Sequence, residues 1–162
     1  MFMEESKIYI HYGHKNFDRD LFTEIKNRDY FVKPHGGLWA SRINAEYGWK
    51  QLVTDNEFFT GKYRDDNCFK FKLKDGARLL VITNDDQLDT LPQQHTPHSN
   101  LVFTTCLDFE KLKEEYDAIE VLIYEDKSEI QDNFVDGLYN KLYGWDCDSI
   151  LVMNKDVIQE ID

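Results

Sequence analysis

Three short segments combine glycines with polar or aromatic side chains in a way that a hydrophobic core does not require. They are residues 10–14 (IHYGH), 33–41 (KPHGGLWAS) and 143–149 (YGWDCDS). Glycine lets a ligand approach the backbone closely, an aromatic ring offers a flat stacking surface, and His or Asp can exchange a proton. Taken one at a time, such residues are more often structural, but the three segments together favour a ligand site.

Motifs of several common enzyme classes are absent from the sequence. There is no GxxxxGK[ST], no GxGxxG after a predicted strand, no HExxH and no GxSxG. The three cysteines, Cys68, Cys106 and Cys147, are widely spaced and outside any CxxC, so neither a disulfide framework nor a reactive thiolate is predicted. His95 and His98 lie in a proline-containing loop without a nearby Cys, and no metal site is predicted there.

The elements that must position the three segments are short strands clustered between short helices. Alternating or continuous apolar residues predict strands at residues 7–13, 36–41, 69–74, 77–83, 118–124 and 149–153. Helices are predicted to begin at Asp18, near residue 45, at Asp108 and at Ser128, with a polar surface loop at residues 92–100. Because strands and helices do not alternate regularly, the pattern predicts an α+β fold.

The strand at residues 69–74 (FKFKLK) alternates strictly. Its Lys70, Lys72 and Lys74 are expected on an exposed face or along a sheet edge, where lysines prevent further strand pairing.

Length and charge exclude several classes of function. The 162 residues, 41% apolar, suffice for one domain spanning 1–162. The net charge is −12, of which residues 108–162 contribute −11 (16 acids and 5 bases), so binding to duplex nucleic acid through its phosphates is disfavoured. No apolar run reaches 18 residues and no signal-peptide pattern is present. A cytoplasmic protein without a membrane partner is expected.

The three segments together resemble those of ADP-ribosyltransferases of the histidine-tyrosine-glutamate type, shared by diphtheria toxin and the poly(ADP-ribose) polymerases. More specifically, the chain is similar over almost its whole length to small bacterial and phage proteins that carry HYG, KPxGGLWxS and GWDC strings. The resemblance implies a split, two-sheet α+β core of ADP-ribosyltransferase type with short peripheral helices and an NAD cleft between the sheets.

The resemblance also implies which residues bind NAD, the substrate that serves as cofactor. His11 would hydrogen-bond a ribose hydroxyl of the adenosine half, and Gly13 would offer its backbone to the nicotinamide carboxamide. Ser41 would steady the nicotinamide side of the cleft. Tyr47, in the helix that follows, would stack on the nicotinamide ring, with Trp39 packed close by.

The acid of the resembled motif corresponds to Asp148, which is an aspartate where the family has a glutamate. A fixed carboxylate stabilises the cation-like ribose that forms when the nicotinamide bond breaks. Asp146, two residues earlier, is the candidate for deprotonating the acceptor. A second departure is Tyr12, which stands between the histidine and the glycine.

Three functions remain open from the sequence. The first is an NAD-dependent mono-ADP-ribosyltransferase that modifies a protein or small-molecule acceptor, as in phage- or toxin-type effectors. The second is an NAD glycohydrolase, in which water replaces the acceptor. The third is a non-catalytic acidic protein that inhibits or binds a basic partner through charge complementarity. A His11 cleft filled by side chains would favour the third function over catalysis.

Overall fold

The fold is built on a mixed β-sheet accompanied by two short α-helices. The computed structural model describes residues 7–28, 33–55, 65–95, 105–122, 145 and 147–162. Its strands are β1 (Tyr9–Tyr12), β2 (Leu38–Arg42), β3 (Cys68–Leu73), β4 (Leu79–Ile82), β5 (Gln93–His95), β6 (Thr105–Leu107), β7 (Ala118–Val121), β8 (Ser149–Val152) and β9 (Ile158–Ile161). Its α-helices are α1 (Trp49–Asp55) and α2 (Phe109–Glu115). The predicted α+β class is confirmed.

Seven of the described strands form one continuous sheet in the order β4-β7-β8-β2-β1-β3-β9, and β5 pairs with β6 separately. The pair β4 and β7 is parallel, whereas the other pairs are antiparallel. The described strands therefore do not show the split into two sheets that the resemblance implied. The reason is β2, whose first residues pair with β8 and whose last residues, Ser41 and Arg42, pair with β1.

Both faces of the sheet are covered where the candidate segments lie. On one face, Ile119 and Leu151 pack with Phe109 and Leu112 of α2. The other face buries a second cluster that includes Ala40, Ile150 and Phe71. Every residue of β7 and β8 is buried, which agrees with their nearly continuous apolar sequences.

Consecutive glycines direct the chain into β2. Gly36 and Gly37 have φ values of 85° and 73°, in the left-handed region where a side chain is strained. A Cβ on Gly37 would also lie 2.6 Å from Cδ1 of Leu151 and 2.8 Å from the carbonyl oxygen of Val152. The backbone of β2 therefore enters the sheet in close contact with β8.

Some predicted elements differ from the structure. The helix expected after Asp18 is a single 3-10 turn, Arg19–Leu21, and the loop at residues 92–100 contains β5. Of the two alternatives for the lysines of the 69–74 segment, the exposed face is confirmed, since Lys70, Lys72 and Lys74 are exposed. The sheet edge is wrong, because β3 lies between β1 and β9. The helix expected at Ser128 lies outside the described residues. No helix within the described ranges has the length and hydropathy to cross a membrane.

Candidate functional site

The sheet order brings the three candidate segments onto neighbouring strands. The first segment forms β1, the second runs into β2, and the third leads into β8. In the sheet, β2 lies between β8 and β1. Segments that are separated by more than 100 residues in sequence are therefore adjacent in space.

An open cavity of about 190 Å³ lies where β1 ends and β2 begins. Three of the predicted NAD-binding residues, His11, Gly13 and Trp39, line it. Much of its remaining wall is apolar and includes Phe17, Phe22 and Trp49. Apolar and aromatic walls with a few polar groups are typical of small-molecule sites.

Two histidines form a hydrogen-bonded chain at this cavity. Nδ1 of His11 lies 2.7 Å from the carbonyl oxygen of Trp39. Because a carbonyl oxygen can only accept, Nδ1 of His11 carries a hydrogen; when the ring is neutral, its Nε2 is an acceptor. Nδ1 of His14 lies 2.9 Å from that Nε2 and donates to it. The remaining ring nitrogen, Nε2 of His14, is then a hydrogen-bond acceptor.

This chain changes the role expected of His11. Both of its ring nitrogens are engaged, one by Trp39 and one by His14. The predicted hydrogen bond from His11 to a ribose hydroxyl is therefore not available in this arrangement. His14, which also lines the cavity and is exposed, offers the equivalent nitrogen instead.

Ser41, Tyr47 and Asp148 meet through main-chain atoms and one hydroxyl. The Ser41 hydroxyl donates to the Asp148 carbonyl oxygen at 2.7 Å and accepts the Trp49 N–H at 2.9 Å. The Asp148 N–H donates to the Tyr47 carbonyl oxygen at 2.8 Å. Ser41 is only 2% exposed, so its hydroxyl joins β2, α1 and the start of β8 and does not face a ligand.

The side chains of Tyr47 and Trp39 also make structural contacts. Tyr47 precedes α1, in contrast to the predicted helical position, and its hydroxyl donates to Asp55 at 2.7 Å. Tyr47 is absent from the lining of the His11 cavity. The Trp39 ring packs edge-on against Trp145 at 4.6 Å, and Nζ of Lys33 lies 4.8 Å above it.

Asp148 lines a second cavity of about 200 Å³, together with Arg42 and Glu120. Glu120 is 1% exposed and accepts two hydrogen bonds from Arg42, both 2.8 Å, and one from the Tyr9 hydroxyl at 3.2 Å. Burial raises the pKa of Tyr9, and the negative charge of Glu120 raises it further. Burial disfavours the charge of Arg42, but the hydrogen bonds and charge of Glu120 outweigh it and raise the pKa of Arg42.

The expectation of a single cleft is therefore wrong for Asp148. Asp148 and His11 line different cavities, and the two linings share no residue. Ala40, in the strand β2 between β1 and β8, is fully buried. Asp146 lies outside the described residues. The carboxylate that lines the His11 cavity is that of Asp18.

Sequence reasoning missed several residues of the two cavities. His14 is part of the first segment, three residues after His11, and that spacing was an available signal. Glu120 is the one charge in an otherwise apolar run, AIEVLI, which indicates a buried carboxylate with a partner. Asp18 had been interpreted as a helix cap, and its Oδ1 does accept the Asp20 N–H at 2.9 Å. Trp49 carried no local signal for a cavity.

Comparisons with protein-family models, curated proteins and solved structures give no match for this chain.

Proposed function

We propose that the protein is an NAD-dependent mono-ADP-ribosyltransferase that holds NAD in the cavity beside His11 and acts on a protein or small-molecule acceptor in the bacterial or host-cell cytoplasm. The observation that carries the proposal is that this cavity is open. About 190 Å³ is unfilled at the junction of the first two of the three segments that resemble the transferase motifs. A His11 cleft filled by side chains would have favoured the acidic binding protein.

The size and walls of the cavity suit one ring-bearing half of NAD. Its volume is below the roughly 300–1,000 Å³ typical of pockets that enclose a whole drug-sized ligand. Phe17, Phe22 and Trp49 provide apolar surface for a ring. Gly13, with a φ of 118°, leaves room for close approach to the backbone. Nε2 of His14 would accept a hydrogen bond from a ribose hydroxyl.

The reaction needs a carboxylate and a base. The bond between C1′ of the ribose and the nicotinamide nitrogen breaks, and its electron pair leaves with the nicotinamide. We assign the stabilisation of the resulting cation-like ribose to Asp18, the one acidic residue among the described lining residues of the cavity. The acceptor atom bonds to C1′ and gives its proton to Nε2 of His14, whose ring is oriented by His11 in the manner of a base held by a third group.

Incubation with NAD tests the proposal directly. A ligand that binds only the folded state stabilises it, by about 2.7 kcal/mol at 100 times the dissociation constant. We expect NAD to raise the melting temperature and ATP or FAD to leave it unchanged. Nicotinamide release that requires an added lysate, with label in an acceptor, identifies a transferase. Release without lysate identifies a glycohydrolase, and no shift with no release contradicts both.

Paired carboxylate variants identify the acid. Asp18→Asn keeps an oxygen for the cap bond to Asp20 but removes the charge, so nicotinamide release should fall about 10²–10³-fold with NAD binding retained. Asp20→Asn is the matched control on the same exposed turn and should leave release unchanged. If Asp148→Asn loses nicotinamide release and Asp18→Asn keeps it, the catalytic acid is Asp148, as predicted from the sequence.

A further inference from the structure

The walls of the His11 cavity are rich in aromatic rings. Among the described lining residues, the aromatic ones besides the two histidines are Tyr12, Phe17, Phe22, Trp39, Trp49 and Phe69. The face of such a ring carries a partial negative charge, so it attracts a cation that lies above it. Proteins use cages of aromatic rings to recognise ligands with a quaternary nitrogen. The composition of the walls therefore suits a ligand group with a positive charge.

The charged side chains at the cavity have the matching sign. None of the described lining residues is a lysine or an arginine, and Asp18 is the one acidic residue among them. Asp18 is exposed, so its attraction for a bound cation is weak, and the rings must supply most of any selectivity. The net charge of −12 adds a long-range field that also attracts cations.

The protein itself places a cation against two of these rings. Nζ of Lys33 lies 4.8 Å from the ring centre of Trp39 and 5.7 Å from that of Trp49. Both distances are within the roughly 6 Å over which an aromatic face attracts an ammonium group. Lys33 is not among the described lining residues of the cavity. The two indole rings thus attract a cation in this environment, although the charge of Lys33 opposes a second one.

We propose that the His11 cavity selects a ligand ring with a positively charged nitrogen, of the N-alkylpyridinium class. The inference extends the proposed function and rests on it in one respect: NAD would enter by its nicotinamide end, whose ring is a cation, and not by its neutral adenine. When the bond to C1′ breaks, the electron pair returns to the ring nitrogen and the ring becomes neutral. The cavity would therefore hold the nicotinamide product more weakly than the substrate.

Calorimetric titration of the protein with 1-methylnicotinamide and with nicotinamide tests the selectivity. The two probes differ by one methyl group and one positive charge. We expect the cation to bind at least about tenfold more tightly, which corresponds to about 1.4 kcal/mol. Equal affinities, tighter binding of the neutral ring, or no binding of the cation would overturn the proposal.

NADH separates this proposal from the proposal of NAD binding. It carries the same phosphates and the same adenine as NAD, but its nicotinamide ring is neutral. We expect NAD to raise the melting temperature more than NADH does. Equal shifts would leave NAD binding in place and overturn the cation selectivity. Tight binding of 1-methylnicotinamide without any shift from NAD would support the selectivity and contradict the NAD proposal alone.

Substitution of one ring tests whether the walls cause the selectivity. Trp49→Leu should reduce the preference for 1-methylnicotinamide over nicotinamide by about 2–5-fold. General damage to the cavity would weaken both probes alike, so an unchanged ratio would overturn the assignment to the rings. Tyr116→Leu is the matched control, because Tyr116 is also a partly buried aromatic residue but does not line the cavity.

Lys33→Met tests the opposite explanation, in which Lys33 selects the ligand through its phosphates. The variant keeps an unbranched side chain beside Trp39 and removes the charge. Because it removes a like charge, it should keep or raise the preference for 1-methylnicotinamide over nicotinamide. A fall in this preference would mean that the rings do not select the cation by themselves and would overturn the proposal.

Discussion

At the scale of single residues, the hydrogen-bonded histidines determine which atom is offered to a ligand. The Trp39 carbonyl fixes a hydrogen of His11 on Nδ1, and in the neutral His11 ring Nε2 then accepts from Nδ1 of His14. The rings stack at 5.2 Å, and Phe69 lies 5.1 Å from the His11 ring on another side. In the proposed site, His11 is thus the positioning residue and His14 the contacting one.

Substitution of each histidine should separate these roles. His14→Ala would remove the proposed hydrogen bond to NAD and should weaken NAD binding by about 0.5–1.5 kcal/mol, or roughly 2–10-fold. His11→Ala leaves His14 without its orienting acceptor and should have a smaller effect. His35→Ala, at an exposed position outside the cavity, is the control. Measured NAD affinities that fall more in His11→Ala than in His14→Ala would contradict the assignment.

The site could be predicted from sequence only where the residues form a local motif. His11, Gly13 and Trp39 belong to segments whose composition indicated a ligand, and they do share a cavity. Asp18 and Trp49 could not be assigned to it, because their positions depend on how the chain after β1 and before α1 packs against the sheet. Asp148 lines a different cavity for a similar reason. The register of the sheet, which the local motif does not specify, determines where its side chain lies.

At the scale of elements, the start of β2 leaves no room for a side chain at Gly36 or Gly37. Gly37→Ala should destabilise the protein by about 1–2 kcal/mol through its left-handed backbone and by about 1–3 kcal/mol more through the clash with Leu151 and Val152. Gly76→Ala is a matched control. Its φ is 84°, but a Cβ there would meet nothing within 4 Å.

Urea unfolding of the two glycine variants measures the difference. Both variants carry the backbone strain, so only Gly37→Ala should show the additional loss. Equal unfolding free energies in Gly37→Ala and Gly76→Ala would mean that β8 accommodates the added methyl group with no loss of stability.

Elements were predicted correctly where local residues specify them and incorrectly where contacts between distant residues specify them. The alternation in β3 and the cap at Asp108, whose side chain accepts the Lys111 N–H, gave the correct elements. The helix expected after Asp18 stops at Leu21 because the following chain pairs with the approach to β2: Lys26 and His35 form an antiparallel bridge. Strand β9 has no pattern of its own and forms by pairing with β3.

At the scale of the whole molecule, the carboxylate of Asp117 links three parts of the chain: the start of β7, Arg78 before β4 and Asn154 after β8. Asp117, just before β7, accepts bonds from the Arg78 N–H at 2.8 Å, the Arg78 guanidinium at 3.1 Å and the Asn154 amide at 3.0 Å. Burial would raise the pKa of Asp117, but these bonds and the charge of Arg78 outweigh it and lower the pKa to about 2.

Acid unfolding should reveal this carboxylate. Its pKa is lower in the folded state than the ordinary 3.8, so its stabilisation is fully present above about pH 4 and is lost as the pH falls towards 2. The shift corresponds to about 2 kcal/mol. Asp117→Asn should therefore be less stable at pH 7 and show a shallower loss of stability between pH 5 and 2.

Asp156→Asn is the control for the acid-unfolding measurement. Its carboxylate contacts Arg19 but is 67% exposed, and exposed ion pairs contribute little in physiological salt. If the unfolding free energy of Asp117→Asn changes with pH as that of the wild type does, other groups cause the acid sensitivity.

The bonds made by the Ser41 hydroxyl have a consequence for how this sequence can diverge. A Cβ at Gly48 would lie 2.8 Å from Cβ and 3.0 Å from Oγ of Ser41, and would push the hydroxyl away from Trp49 and Asp148. The constraint runs in one direction. A Cβ at position 48 also meets the Cβ of Ser41, which every residue other than glycine carries, and the Cβ of Ala45 at 3.0 Å. Lineages in which position 41 changes should therefore still keep the glycine at position 48.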